Sequence, residues 1–239
     1  MEKTRDIGEA LNGWRPPVWP GPATLEGSYA RLERLTHAHA AELDRAARAD
    51  DSVWAYMPYG PFASAAAYGD WVAGMAARPD PWFYAIRNLA TGQAEGVASW
   101  LRITPEAGSI EVGHILFSPA LQRTRAATEA MFLMMQWVFD AGYRRYEWKC
   151  NAQNAGSRRA AERFGFSYEG VFRQAAVIKG RNRNTAWFAA IDSEWPALKA
   201  AYGRWLSPDN FTADGRQRQS LAALTAPVLA ARDPRTGAG

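Results

Sequence analysis

The stretch Phe117-Ser118-Pro119-Ala120-Leu121-Gln122-Arg123-Thr124-Arg125-Ala126-Ala127-Thr128-Glu129-Ala130 carries the clearest chemical signal. An apolar, strand-like run ends at Phe117, small and basic residues follow, and a helical pattern begins. The first N–H groups of a helix have no intrahelical acceptors, and the helix dipole adds partial positive charge there. Such a turn binds anions. Arg123 and Arg125 would add charge-assisted donors suited to phosphate. The same residues also fit an ordinary strand–helix turn with solvated arginines. A second stretch runs from Asn151 through Asn154, Ser157, Arg158 and Arg159 to Phe164-Gly165-Phe166. Asn and Ser are common helix caps, and a Gly between two Phe is a helix stop.

Other reactive side chains give weaker signals. His114 is a base by residue type, but a single histidine on a strand is usually a hydrogen-bonded structural one. Cys150 is the single cysteine, which rules out an internal disulfide. No His or Asp stands at a spacing diagnostic of a Cys nucleophile, so a buried thiol is expected. Lys149 beside it reads as a surface residue. With three His and one Cys, no metal site is expected. Trp54, Tyr56, Met57 and Tyr59 cluster in one segment, either as core or as the wall of a pocket for an apolar or cationic amine.

The net charge of +4 suits a phosphate-bearing ligand and is too small to imply nucleic acid. The short basic runs Arg144-Arg145, Arg158-Arg159 and Lys179–Arg183 lie on different elements, which also argues against a nucleic-acid partner. Glu2 and Asp6 make the N-terminus unlike a signal peptide. No apolar run approaches ~20 residues, so no membrane span is expected, and the cytoplasm is the default compartment.

These residues must be positioned by alternating strands and helices. Strands are predicted at 29–35, 82–87, 94–103, 110–117, 145–151, 168–178 and 184–191. Helices are predicted from Thr36 to about 48, and over 64–77, 126–141, 155–164 and 193–206. Met131, Met134, Met135 and Val138 recur at helical spacing, so that helix buries one face. Gly142 stops it. The order predicts an α/β (α+β) domain on a mixed sheet. Prolines and tryptophans in residues 1–26 read as an extended arm, residues 27–206 as the domain, and residues 207–239 as a loose tail. Within the tail, 221–229 is a candidate docking helix.

Together the two stretches resemble the GNAT superfamily of CoA-dependent N-acyltransferases, in particular the branch holding the ribosomal-protein N-terminal acetyltransferases. Gln122-Arg123-Thr124-Arg125-Ala126-Ala127 parallels the family's Gln/Arg-x-x-Gly-x-Gly/Ala, and Asn154, Ser157 and Phe164-Gly165-Phe166 parallel its second motif. The resemblance covers about 27–196. Arg125 departs from it, standing where the family usually has Gly. It either weakens the phosphate cradle or contacts phosphate itself, and the small neighbours Ala126 and Ala127 favour contact.

The resemblance implies a mixed, mostly antiparallel twisted sheet flanked by helices and splayed at an acyl-CoA cleft. It implies acetyl transfer from acetyl-CoA to a primary amine (a protein N-terminus, a lysine or a small amine) by direct attack. It places Phe117, Ser118, Gln122, Arg123, Thr124, Arg125, Ala126, Ala127, Thr128, Asn154, Ser157 and Arg158 against the cofactor. Glu111 falls where many members carry a general base, and Ser157 near the CoA sulfur, where it either donates to the leaving thiolate or caps its helix. Trp54, Tyr56 and Tyr59 fall in the acceptor region. A non-catalytic acyl-CoA-binding module and a succinyl-CoA-using relative remain alternatives, with Arg102 or Arg173 as the cation for a longer acyl group. The C-terminal hairpin leaves a homodimer open.

Overall fold

The computed structural model describes residues 8–236. The ends of the expected arm and tail, residues 1–7 and 237–239, lie outside the described residues. Eight strands form one sheet in the order β1-β2-β3-β4-β5-β6-β8-β7. They are β1 (Thr24–Glu26), β2 (Ala30–Arg34), β3 (Trp82–Asn88), β4 (Gln93–Thr104), β5 (Ser109–Phe117), β6 (Arg145–Asn151), β7 (Ser167–Ile178) and β8 (Arg181–Ile191). All neighbours are antiparallel except β5 and β6.

Alternation along the strands sorts the core into two layers. On β3, Tyr84 and Ile86 face one layer, Phe83 and Ala85 the other. The first layer holds helices α3 (Arg125–Asp140), α4 (Ala155–Arg163), α5 (Trp195–Leu206) and α6 (Leu221–Thr225). The second holds α1 (Ala40–Ala47) and α2 (Ala65–Ala76). The stripe Met131, Met134, Met135 and Val138 is buried as its spacing required. Gly142, at φ 92°, ends α3 in a conformation L side chains resist.

Helix α3 is fixed to the sheet by a buried carboxylate. Glu129 accepts the backbone N–H groups of Ser28, Tyr29 and Ala30 at 2.9, 2.5 and 2.7 Å. Residue 27 must be Gly, because a Cβ there would lie 2.3 Å from the Glu129 Cδ. The turn at the start of α3 is therefore held in register with β2 from the far side.

Three expectations change. Strand β1 lies inside the segment read as an arm; its three residues are too few to show alternation. The helix after Thr36 opens as a tight 3-10 turn, His37–His39, before α1. The segment read as a loose tail is packed: Leu221 and Thr225 are fully buried, Tyr168 N–H donates to the Ala231 carbonyl, and Asp233 is 1% exposed. Its Arg, Asp, Pro and Gly content suggested solvent, but Asp233 is paired with Arg158 and Leu221 packs in the core of the domain. The proline-rich segment is extended as expected and docked, with Tyr143 donating to the Val18 carbonyl and Tyr84 to that of Pro22. No described helix is long and apolar enough to cross a membrane.

Candidate active site

Strands β5 and β6 pair in parallel only from Ser109↔Arg145 to Val112↔Trp148. Beyond that they part. On the other side of β5, Val97 pairs with Leu116 and Ser99 with Gly113, so His114 and Ile115 face the single Ala98. This is a β-bulge, and His114 takes a left-handed φ of 51° at it. Two adjoining cavities open along the parting. A larger one, of about 1040 Å³, runs over the start of α3. A smaller one, of about 500 Å³, lies between β5, β6 and the β7–β8 hairpin. Tyr56, Met57, Ile115, Trp148, Asn154 and Ser157 border both.

The larger cavity is lined by Phe117, Gln122, Arg123, Thr124, Arg125, Ala127 and Thr128 from the first motif, and by Asn154 and Ser157 from the second. Thr124 caps α3 by accepting the Ala127 N–H at 3.1 Å. That leaves the first-turn N–H groups of Arg125 and Ala126 with no intrahelical carbonyl. Arg123 adopts φ 61°, a turn geometry that the sequence did not announce. Ser118 and Ala126 are buried behind the wall: Ser118 accepts the Leu121 N–H at 3.2 Å and shapes the turn.

The Arg125 guanidinium stacks 3.5 Å from the Phe211 ring centroid and 5.4 Å from that of Tyr29. The residue that departs from the family pattern is thus held beside the cavity by aromatics from the C-terminal segment and the start of β2. Two further arginines, not singled out in the sequence, line this cavity. Arg159 is exposed there. Arg163 donates to Thr128 Oγ1 at 3.0 Å, and burial pulls its pKa down with no carboxylate to offset it. Their signal was present: helix α4 repeats Arg at 158, 159 and 163, so 159 and 163 share one face at i, i+4. Arg158, expected at the phosphate, takes the opposite side. It is 2% exposed, clamps Asp233 through Nε and Nη2, and donates to the Ala152 carbonyl at 3.1 Å.

The smaller chamber brings Glu111, His114, Lys149, Cys150 and Ser157 together. Glu111 is 3% exposed and accepts from Arg102 Nη1 at 2.6 Å and Lys149 Nζ at 2.8 Å. Burial pushes its carboxyl above the ordinary range, against the pull of those two cations. Lys149, read as a surface residue, is instead enclosed: it also pairs with Glu147 at 2.7 Å and sits 3.8 Å from the Trp187 ring centroid. Its neighbour Cys150 is buried, as expected, and burial raises its thiol pKa. Tyr59 Oη and His114 Nδ1 are hydrogen bonded at 3.1 Å. Burial, with Arg102 and Arg183 nearby, lowers His114 to about 4, so the ring is neutral at pH 7.

Ser157 stands where the two cavities meet. Trp148 Nε1–H donates to its oxygen at 3.0 Å. An indole N–H only donates, so it uses a serine lone pair and leaves the hydroxyl hydrogen for another acceptor. Ser157 also holds down part of the rise in the Cys150 thiol pKa that burial causes. Asn154 caps α4 through the Ser157 N–H at 3.0 Å. Of the expected acceptor aromatics, Tyr56 borders the cleft and donates across it to the Gln153 carbonyl at 3.2 Å. Trp54 is buried in the second core layer, and Tyr59 faces a neighbouring cavity beside His114. The Trp54 carbonyl nevertheless anchors the hairpin tip, accepting Lys179 Nζ at 3.0 Å.

The larger cavity is lined by arginines, the smaller by a buried carboxylate, and Ser157 borders both. Comparison with known proteins gives the family. A GCN5-related N-acetyltransferase from Brucella melitensis is 45% identical over 90% of this chain and 100% of that one, with a TM-score of 0.88. A probable GNAT-family acetyltransferase from Chromobacterium violaceum ATCC 12472 is 43% identical over 80% and 96%, with a TM-score of 0.75. The ribosomal-protein alpha-N-acetyltransferase RimL shares the fold at 20% identity, covering 70% and 93% with a TM-score of 0.61. No curated protein matches the sequence. Residues 30–167 match the family model of the acetyltransferase (GNAT) domain, and the chain belongs to the GNAT acetyltransferase family.

Proposed function

We propose that the protein transfers acetyl from acetyl-CoA to a primary amine by direct attack of the neutral amine on the thioester. The observation that carries this reading is the position of Ser157, between a cavity of unpaired arginines and a chamber holding a buried carboxylate. In it, Gln122, Arg123, Thr124, Arg125, Ala127 and Thr128 hold the pyrophosphate with the start of α3, joined by Arg159 and Arg163. Phe117 and Asn154 border the pantetheine path. Glu111 accepts the amine proton, directly or through one water, while Lys149 and Arg102 fix its orientation. The C–N bond forms, the C–S bond breaks, and the Ser157 hydroxyl stabilises the departing thiolate before it takes a proton. His114, neutral and with so low a pKa, is the weaker base and serves to position the bulge.

The experiment is calorimetric titration with acetyl-CoA together with thiol release in the presence of primary amines. Binding with turnover is expected. Binding without turnover for any amine would favour a non-catalytic acyl-CoA module, and tighter binding of succinyl-CoA would move the donor.

A further inference from the structure

The small chamber contains more positive than negative charge. Its walls carry Arg102, Lys149 and Arg183 against one carboxylate, Glu111. Arg102 and Lys149 are both committed to Glu111, and Lys149 also to Glu147. Arg183 differs. Its Nε donates to Thr185 Oγ1 at 3.2 Å, which fixes the plane of the guanidinium. Its two terminal nitrogens make no hydrogen bond or ion pair with the described residues. The side chain is half-buried, and burial lowers its pKa, outweighing the opposite pull of Cys150 and Glu111. A bulge places it: Gln174 takes φ 50° on β7, its N–H donates to Asn184 Oδ1 at 2.7 Å, and Arg183 then pairs with Ala176 over the chamber.

A half-buried guanidinium with an unused fork is costly unless a ligand completes it, and the fork matches a carboxylate or phosphate in a bidentate pair. The chamber is also inhospitable to a simple ammonium, which would meet three cations. Resting on the acetyltransferase reading above, we propose that the acceptor is a small amine that also carries an anionic group, and that Arg183 binds that group. The anion draws the acceptor in, while the surrounding cations favour the uncharged amine required for attack. Phe172, Trp187 and Ile178 supply an apolar wall for the carbon skeleton between the two ends.

Matched amine pairs test this: γ-aminobutyrate against γ-aminobutyramide, β-alanine against β-alaninamide, and O-phosphoethanolamine against ethanolamine, each with acetyl-CoA and thiol release as readout. The charged member of at least one pair is expected to have a kcat/KM about 10-fold or more above its neutral partner. The phosphate and carboxylate arms identify which anion is used. Arg183→Gln is expected to abolish that preference and Arg183→Glu to reverse it, with acetyl-CoA affinity unchanged by calorimetry. Equal rates within every pair, or an unchanged preference in Arg183→Gln, would overturn the assignment. So would acetyl-CoA binding with no turnover of any charged amine. If Arg183→Gln instead depresses kcat/KM for succinyl-CoA alone, the anion sits on the donor and the proposal fails. Absence of acetyl-CoA binding to the unaltered protein would sink the acetyltransferase reading itself, a result separable from the others.

Discussion

The two ends of the cleft treat charge in opposite ways. Around the larger cavity, Arg123, Arg125, Arg159 and Arg163 have no carboxylate partner among the described residues and rest on a hydroxyl, on aromatic rings or in solvent. On the wall of the smaller chamber, Glu111, Arg102 and Lys149 are joined, through Glu147 and Arg145 behind them, in a chain of ion pairs that leaves out only Arg183. Unpaired cations wait for a ligand to neutralise them, so they set affinity. A closed network keeps its geometry with or without a ligand, so it suits a group that must be ready when the reactants meet. Substitutions at the two ends should therefore change different kinetic constants.

The largest effect is expected at Glu111. Glu111→Gln should lower kcat about 10²- to 10⁴-fold, with acetyl-CoA affinity intact. Because burial raises this carboxyl, the acidic limb of kcat/KM should lie at higher pH than an ordinary glutamate would give. A limb at the ordinary position, or full activity in Glu111→Gln, would remove the carboxylate from catalysis.

Next comes His114, which tests whether the chamber keeps its histidine uncharged. Its folded pKa of about 4 lies below the ordinary 6.5, so the unfolded chain binds more protons between those values. Stability from this group is complete above pH 6.5 and lost as pH falls toward 4, on the order of 3 kcal/mol in all. Denaturant titrations across that window should show the loss, and His114→Gln should flatten it.

Smaller effects belong to the other end. Arg163→Gln should raise KM for acetyl-CoA roughly 10-fold at nearly constant kcat, and weaken the salt dependence of KM. A change in kcat alone would erase the contrast between the two ends. The smallest expected effect is at Arg125. Its guanidinium is already stacked on Phe211, so Arg125→Ala should weaken acetyl-CoA binding only a few-fold by calorimetry. Tighter binding in Arg125→Ala would mean that the side chain obstructs the cradle.

The strands and helices that build the cleft were legible because their patterns are long. The stripe on α3 spans several periods, and β3 to β5 are apolar runs separated by turn residues. The strand–helix turn before α3 was legible because small and basic residues follow an apolar run. Partnerships across long separations were not. Nothing near Arg158 in the chain distinguishes it from Arg159; only Asp233, far along the sequence, divides their roles. Lys149 reads as a surface residue until Glu111 and Glu147 are seen to enclose it. The left-handed residues Arg123 and His114 carry no marker, since neither is Gly or Asn. Arg183 was visible only as part of a basic run, because its exposure to the chamber depends on a bulge at Gln174 on the opposing strand.

The packing of residues 207–236 has a consequence for how the site comes into being. Phe211, Gly215 and Gln217 border the larger cavity, and Asp233 holds the buried side of α4. A growing chain that has reached the end of α5 already contains the turn before α3, Glu111 and Ser157, yet one wall of the larger cavity has not been made. Under the proposed reading, cofactor capture would wait for late synthesis, and a product truncated after α5 would bind acetyl-CoA poorly.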